Sequence, residues 1–287
     1  MKSKNNVDVV RRTIWTTILS LLVLSFVTNP DSLSAQSKKK SRTFTLEQIL
    51  SAPFPSNLTA APSAPIIAWV QSANGARTIW VAQNPDYKGR QITSNAKDDG
   101  QAFANLQFTF DNRSLVYVHG GNANRQGEIP NPLSEPEGAK QEIRIVDLTG
   151  GAPRTLAAGR SPAVSPTEAL VVFIRKGQVW SVSLADSGKP EQLFKTRGRA
   201  GALRWSPDGA KLAFLSRRGD HSFIGIYHLL DKTLKYLDPS VDRDGNPEWS
   251  PDGSRLAFTR IPTERSRLPF QPRRSARVES EDVCGAG

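Results

Sequence analysis

The chain has 287 residues, 38% of them hydrophobic, and its 21 glycines and 20 prolines are spread along its whole length. This composition excludes a disordered chain and predicts many turns between short strands, as in an all-β protein. The formal net charge is +11, and much of it lies in flanking segments, at residues 38–42 and 265–277. No nucleic-acid-binding motif accompanies this charge, so we expect no nucleic-acid partner.

The N-terminus has the pattern of an export signal. Four basic residues within the first twelve precede an apolar run of about 14 residues, Ile14–Val27, which is shorter than the about 20 residues that a spanning helix needs. Small residues follow near Ala35. We therefore predict a signal peptide at residues 1–35, cleaved after Ala35, and a periplasmic or secreted protein with no other membrane contact. An uncleaved anchor is the alternative. Residues 36–57 form an N-terminal segment.

An internal repeat is the main signal in the sequence. Residues 205–214 read WSPDGAKLAF and residues 249–258 read WSPDGSRLAF, and related ten-residue units begin at 60, 108 and 164. The intervals between these starts are 48, 56, 41 and 44 residues. One four-stranded propeller blade uses about 40–50 residues. The spacing predicts a partial β-propeller over residues 58–262.

Each ten-residue unit reads as a strand, a tight turn and a second strand. Pro207 fixes φ at the turn, the Asp208 carboxylate can bond the backbone two residues on, and Gly209 can adopt a positive φ. The apolar run Leu212–Phe214 then predicts a strand that is buried on both faces between neighbouring blades. We expect Trp205 and Trp249 to pack between blades.

A pair of alternating strands follows each of the first four units, for example Ile79–Val81 and then Arg90–Thr93, and predicts the outer hairpin of a blade. The fifth unit begins at Trp249 and stops after about one hairpin. We therefore expect about four and a half blades in an incomplete ring, hence a truncated product or a fragment. Residues 263–287 form a basic, proline-containing tail outside the repeat, which we interpret as a truncated end with an out-of-frame or artificial terminus. A natural flexible tail is the alternative. The single cysteine, Cys284, excludes an intramolecular disulfide.

An insertion at residues 120–140 accounts for the 56-residue interval. Insertions on propellers lie at loop ends, where ligands bind, so this segment is either a contact loop or a passive one.

No residue cluster predicts chemistry. His119, His221 and His228 lack metal-ligand spacing, and Asp220 and Asp231 form no acid/base pair. The run Asp242–Asn246 has its glycine at the wrong position for a calcium loop and is interpreted as a turn. We therefore predict no catalytic, metal or cofactor-binding residue and no cofactor.

Two stretches carry a family resemblance: FTLEQIL at 44–50 with APFPSNL at 52–58, and GEIPNPL at 127–133. Together with the repeats, over residues 44–272, they resemble the N-terminal propeller region of bacterial S9 family serine peptidases, the prolyl oligopeptidase, dipeptidyl peptidase IV and acylaminoacyl peptidase relatives. The WSPDG units alone also resemble TolB.

The resemblance implies a propeller that docks and gates peptide substrates over a C-terminal α/β-hydrolase domain bearing a Ser, Asp and His triad. This chain contains no G-x-S-x-G elbow, because its nearest string, Gly159–Ala163, lacks the second glycine. The glutamate pair with which some relatives hold a substrate amino group is not assigned to Glu128, Glu135, Glu137 or Glu142. We expect a propeller that is inactive alone, a missing hydrolase domain, and a peptide substrate or protein partner. A TolB-like protein-binding propeller is the alternative, and a propeller with its own hydrolytic or metal site is disfavoured.

Overall fold

The computed structural model describes residues 44–94, 99–185 and 188–262, and the backbone of 274–278. The predicted signal peptide lies outside these residues. The chain divides into two compact units between residues 49 and 50. A short helix, α1 (Leu46–Leu50), follows Phe44 and Thr45, and the sequence analysis did not predict it. It begins with a capping box: the Gln48 amide donates to Thr45 Oγ1 at 3.2 Å, and the Thr45 amide donates to Gln48 Oε1 at 3.1 Å.

The second unit is built from consecutive antiparallel blades. Blade 1 contains β1 (Phe54–Ala60), β2 (Ile66–Ala73), β3 (Ala76–Gln83) and β4 (Arg90–Gln91), and blade 2 contains β5 (Phe103–Phe108), β6 (Ser114–His119), β7 (Glu142–Asp147) and β8 (Arg154–Ala158). Blade 3 contains β9 (Arg160–Val164), β10 (Leu170–Arg175), β11 (Gln178–Ser183) and β12 (Glu191–Phe194). Blade 4 contains β13 (Arg199–Trp205), β14 (Lys211–Arg218), β15 (His221–His228) and β16 (Thr233–Tyr236), and blade 5 contains β17 (Arg243–Trp249), β18 (Leu256–Ile261) and β19 (Arg274–Val278). A single parallel bridge between Ser222 of β15 and Arg243 of β17 joins blades 4 and 5 into one seven-stranded sheet.

The ten-residue units mark the same place in every blade. Their starting positions, 60, 108, 164, 205 and 249, are the last residues of the first strands. The turn that follows is held as predicted: the Ala210 amide donates to Asp208 Oδ1 at 3.0 Å, and Gly209 adopts a φ of +72°. The predicted four-stranded blade, with its outer hairpin, is therefore confirmed.

The equivalent turn of blade 5 makes the stability of the fold depend on pH through one carboxylate, that of Asp252. Hydrogen bonds from Ser250 and then Ser254 lower the pKa of Asp252 to about 2. An aspartate in an unfolded chain titrates near about 3.9, so the stabilising effect of the Asp252 carboxylate is complete above that pH and is lost as the pH falls through about 2. We expect Asp252→Asn to lose less thermal stability than the native chain between pH 4 and pH 2, as measured by circular dichroism melting. Asp231→Asn is the control, and an unchanged pH profile for Asp252→Asn would contradict the prediction.

Every first strand bends at a bulge. The residue three positions before the end of each of these strands has a positive φ between 46° and 55°: Asn57, Asn105, Ser161, Ala202 and Asn246. The strand pairing shifts register around each of these positions. Asparagine tolerates the left-handed region better than most residues, which explains its presence at three of the five sites.

The hydrophobic cores lie between blades. In β14, Leu212 and Phe214 belong to the core shared with blade 3, whereas Ala213 and Leu215 belong to the core shared with blade 5. β10 is divided in the same way between blades 2 and 4. The predicted burial of Leu212–Phe214 on both strand faces is confirmed, and the stability of each blade depends on its neighbours.

Hydrogen bonds also join each first strand to the next. Asn57 Nδ2 donates to the Phe103 carbonyl at 3.1 Å, and Gln107 Nε2 donates to the Pro162 carbonyl at 2.7 Å. Further along, Trp205 Nε1 donates to the Ala163 carbonyl at 3.0 Å and Trp249 Nε1 to the Arg204 carbonyl at 3.1 Å. The predicted position of both tryptophans between blades is confirmed.

The structure departs from the sequence analysis in three places. The propeller begins at Phe54 and not at residue 58, because the bulge at Asn57 lets β1 continue its pairing to Ser72. Part of the expected tail is strand β19, which pairs with the free edge of β18. The run Asp242–Asn246, interpreted as a turn, largely forms the start of β17, where the Asp244 carboxylate is buried against Arg260. The five described blades do not close into a ring.

Candidate functional site

The insertion of blade 2 covers one end of that blade. We call this the entry end of the blades, where each first strand begins and each second strand ends. The insertion leaves β6 after His119 and returns to β7 at Glu142. Two prolines of the insertion pack on glycines: the Pro132 side chain lies where a Cβ on Gly100 would be, and Pro130 lies against Gly121. Any larger residue at position 100 would displace the insertion, and its φ of +67° also favours glycine.

Gln101 fastens the insertion to the blade. Its side chain is buried, and Nε2 donates to the Pro130 carbonyl at 3.0 Å while Oε1 accepts from the Gly121 amide at 3.2 Å. Both polar atoms of this side chain are therefore satisfied by insertion backbone, which fixes the loop above the strands. The insertion is an ordered covering of the entry end, with its own internal turns at Asn124 and Asn131.

A histidine and a carboxylate meet beneath the insertion. His119 Nε2 lies 2.7 Å from Asp99 Oδ2, and His119 is 8% exposed, with its ring packed against Phe103. Desolvation opposes ionisation of Asp99, but hydrogen bonds from the Gln101 amide and from His119 outweigh it and lower the pKa of this carboxyl. Asp99 therefore remains a carboxylate and orients the imidazole.

Charges of both signs surround a cavity of about 220 Å³ beside this pair. Glu142 accepts from Arg144 at 2.8 Å, and Lys140 and Glu135 lie on the insertion side. Burial raises the pKa of the nearby Tyr117 to about 12, against the opposing charge of Arg144, so its hydroxyl stays protonated. The walls thus offer carboxylates, cations and amides to one ligand.

The described lining of this cavity offers charged and amide groups. Among the residues described around this cavity, none is a serine, threonine or cysteine that His119 could activate, which nucleophilic catalysis would require. In the described part of the chain, no group of three His, Cys, Asp or Glu side chains could hold a metal ion. A mixed-charge pocket can hold a short peptide through its ammonium, carboxylate and amide groups.

The structure brings together residues that the sequence analysis had set apart. It places His119 in this site, although the sequence analysis assigned none of the three histidines to a site. His221 instead pairs with Asp220 on blade 4, and His228 lies at the opposite end of β15. Glu135 and Glu142 line the cavity, while Glu128 bonds Asn124 within the insertion and Glu137 pairs with Lys140. The sequence signal that could have drawn attention to this site is the pair of adjacent glycines after His119, where the insertion begins.

Comparison of the sequence with protein families and with curated proteins finds no match. Solved structures do match. A protein assigned as TolB from Agrobacterium tumefaciens superposes with a TM-score of 0.50 at 16% identity, covering 79% of this chain and 77% of that one. A prolyl endopeptidase superposes at 0.57 with 10% identity, over 80% of this chain and 35% of that one. An oligogalacturonate lyase gives 0.55 with 14% identity, over 73% and 59%.

These matches establish the fold. The chain is an all-β protein of the β-propeller class, and its structural neighbours include TolB-like propellers and S9-type peptidases, the two groups that its repeats and N-terminal stretch resemble. It spans about a third of the length of the prolyl endopeptidase and more than half of the lyase. Because these neighbours differ in activity, the fold alone does not define a function. Among the described residues, no helix is long and apolar enough to cross a membrane.

Proposed function

We propose that this chain is the substrate-docking and gating propeller of an exported S9-type serine exopeptidase, dipeptidyl or acylaminoacyl peptidase-like, which acts with an α/β-hydrolase domain and is inactive alone. The observation that carries the proposal is the cavity beneath the 120–140 insertion, where His119, Asp99 and charges of both signs converge and where no described lining residue is a serine, threonine or cysteine. The likeness to a prolyl endopeptidase over about a third of that enzyme supports it. The location we propose is the periplasm or the medium.

A TolB-like propeller that binds protein partners is the second candidate. The observation in its favour is coverage, because the match includes 77% of the Agrobacterium tumefaciens protein but only 35% of the prolyl endopeptidase. The two candidates differ in ligand size. A docking pocket for substrate binds short free peptides, whereas a protein-binding face needs a larger contact area.

Short peptides are expected to bind the cavity beside His119. We expect isothermal titration calorimetry with a free-amino pentapeptide to show binding to the purified chain, weakened about tenfold by His119→Ala, since one well-placed hydrogen bond to a charged group contributes about 1.4 kcal/mol or more. Glu135→Gln, on the exposed insertion, tests the same cavity without disturbing the core.

The matched control is His228→Ala, at the other end of a blade. No binding at about 1 mM peptide, or equal binding by the His119→Ala and His228→Ala variants, would contradict peptide docking at this cavity and favour the protein-binding candidate.

A further inference from the structure

A second site on the entry end involves blades 3 and 4 and does not depend on the peptidase proposal. Arg160 and Arg199 are the first residues of the neighbouring first strands β9 and β13. Arg217 in β14 is the direct antiparallel partner of Arg199. Partners in an antiparallel pair project from the same sheet face, so the exposed side chains of Arg199 and Arg217 lie side by side. Arg160, also exposed, begins the strand β9 that β13 contacts through the Trp205–Ala163 hydrogen bond, and it lies close enough to feel the charges of both other arginines.

Among the residues that the structure describes, no carboxylate pairs with any of the three arginines. In the part of the chain that the structure describes, none of their guanidinium groups makes a hydrogen bond or an ion pair, in contrast to Arg144, Arg204 and Arg260. Desolvation, and then the charges of Arg199 and Arg217, lower the pKa of Arg160. Like charges directly opposite each other on a sheet are destabilising, so the fold retains an electrostatic cost here.

The surrounding structure holds the cluster in place. Beneath it, the Thr196 hydroxyl bonds Ser216 at 2.9 Å and Tyr236 at 2.8 Å, and Ser216 donates to the Arg197 carbonyl at 2.7 Å. These bonds tie the start of β13 to the end of β14. The Arg199 stem lies over the turn at Gly177, where a Cβ would be 3.5 Å from its Cγ. The arginines are therefore carried by a fixed frame, as a binding site requires.

The chemistry favours carboxylates as ligands. Guanidinium groups bind carboxylates through two parallel hydrogen bonds, and phosphates in a similar way. Single-stranded nucleic acid would also need exposed aromatic faces for base stacking. The neighbouring rings, Phe223 and Tyr236, are covered by Arg218, whose guanidinium lies 4.8 and 5.2 Å from their centres.

We propose that Arg160, Arg199 and Arg217 form a binding site for the carboxylates of an acidic polypeptide segment. The bound carboxylates supply the negative charge that the described fold does not place beside these arginines. The site lies on the entry end, as does the insertion, so an extended partner can contact both blade pairs.

The probe is a dye-labelled, acetylated and amidated hexaglutamate peptide, followed by fluorescence anisotropy with the full chain at low salt. We expect binding that weakens with added salt and falls about tenfold in the double variant Arg199→Gln/Arg217→Gln. The matched control Arg113→Gln, in a turn at the opposite end of blade 2, is expected to bind normally. Because repulsion is relieved, the double variant should also melt about 1–2 °C higher, which shows that it is folded.

Three outcomes would overturn the proposal. Hexaglutamine binding as well as hexaglutamate would remove the role of charge. An affinity unchanged in the double variant would place the peptide elsewhere. Arginine-dependent binding that is tighter for hexauridylate than for hexaglutamate would identify nucleic acid, and not an acidic polypeptide, as the class of ligand.

Discussion

Replacing Arg260 by methionine is expected to lower the free energy of unfolding by about 3–5 kcal/mol, because it leaves a buried carboxylate without a partner. Arg260 Nε lies 2.7 Å from Asp244 Oδ1, and the Asp244 side chain is 0% exposed. The hydrogen bonds that Arg260 donates to this carboxylate raise the pKa of Arg260, against the effect of desolvation, so the guanidinium stays charged. Urea unfolding followed by tryptophan fluorescence measures the loss.

An exposed ion pair on the neighbouring strand gives the control. Glu248 bonds Arg204 at 2.9 Å but is 64% exposed, so Glu248→Gln is expected to cost at most about 1 kcal/mol. The double variant Arg260→Met/Asp244→Leu is expected to recover part of the loss, because it removes both buried charges. Equal effects of Arg260→Met and Glu248→Gln would show that the Arg260 pair is not desolvated in solution.

Replacing Phe214 by alanine is expected to destabilise the chain by about 3–5 kcal/mol. Phe214 is 0% exposed, and its ring centre lies 4.9 Å from that of Phe194 in the core between blades 3 and 4. Its cross-strand partner is Gly225, which leaves the space that the ring fills. The truncation therefore opens a cavity that neighbouring backbone cannot close. Equilibrium urea unfolding is again the measurement.

Leu230→Ala is the matched control, since Leu230 is 93% exposed and its truncation is expected to change stability by less than about 0.5 kcal/mol. A loss below about 1 kcal/mol for Phe214→Ala would indicate that this core collapses around the smaller side chain, or that blades 3 and 4 are not packed together in solution.

The blade was predictable because its turns carry local chemistry. Asp208 and Gly209 act on the backbone within a few residues of the chain, so the position of the turn between the two strands could be predicted from the sequence. The bulges also have a sequence signal, because an asparagine lies three positions before three of the five ten-residue units. They escaped notice because Ser161 and Ala202 break the pattern.

The candidate sites were harder to predict from the sequence, because they depend on contacts between residues that are far apart in the chain. Asp99 and His119 are 20 residues apart, and only the antiparallel pairing of β5 with β6 brings them within hydrogen-bonding distance. The arginine cluster draws on two blades and on a cross-strand register. From the sequence, its members were indistinguishable from a solvated basic surface, and the charge had been expected mainly in the flanking segments.

The sharing of each second strand between two cores bears on how such a protein grows in evolution. Each blade contributes residues to the core on either side of it, and each core is completed by the neighbouring blade. Duplication of the segment that encodes one blade therefore adds one interface between blades and leaves the others intact. Selection can then change the residues at a single interface between blades, such as the one between blades 3 and 4 beside Arg199, without altering the other interfaces. Blade number and binding chemistry can therefore diverge independently among descendants of one repeat.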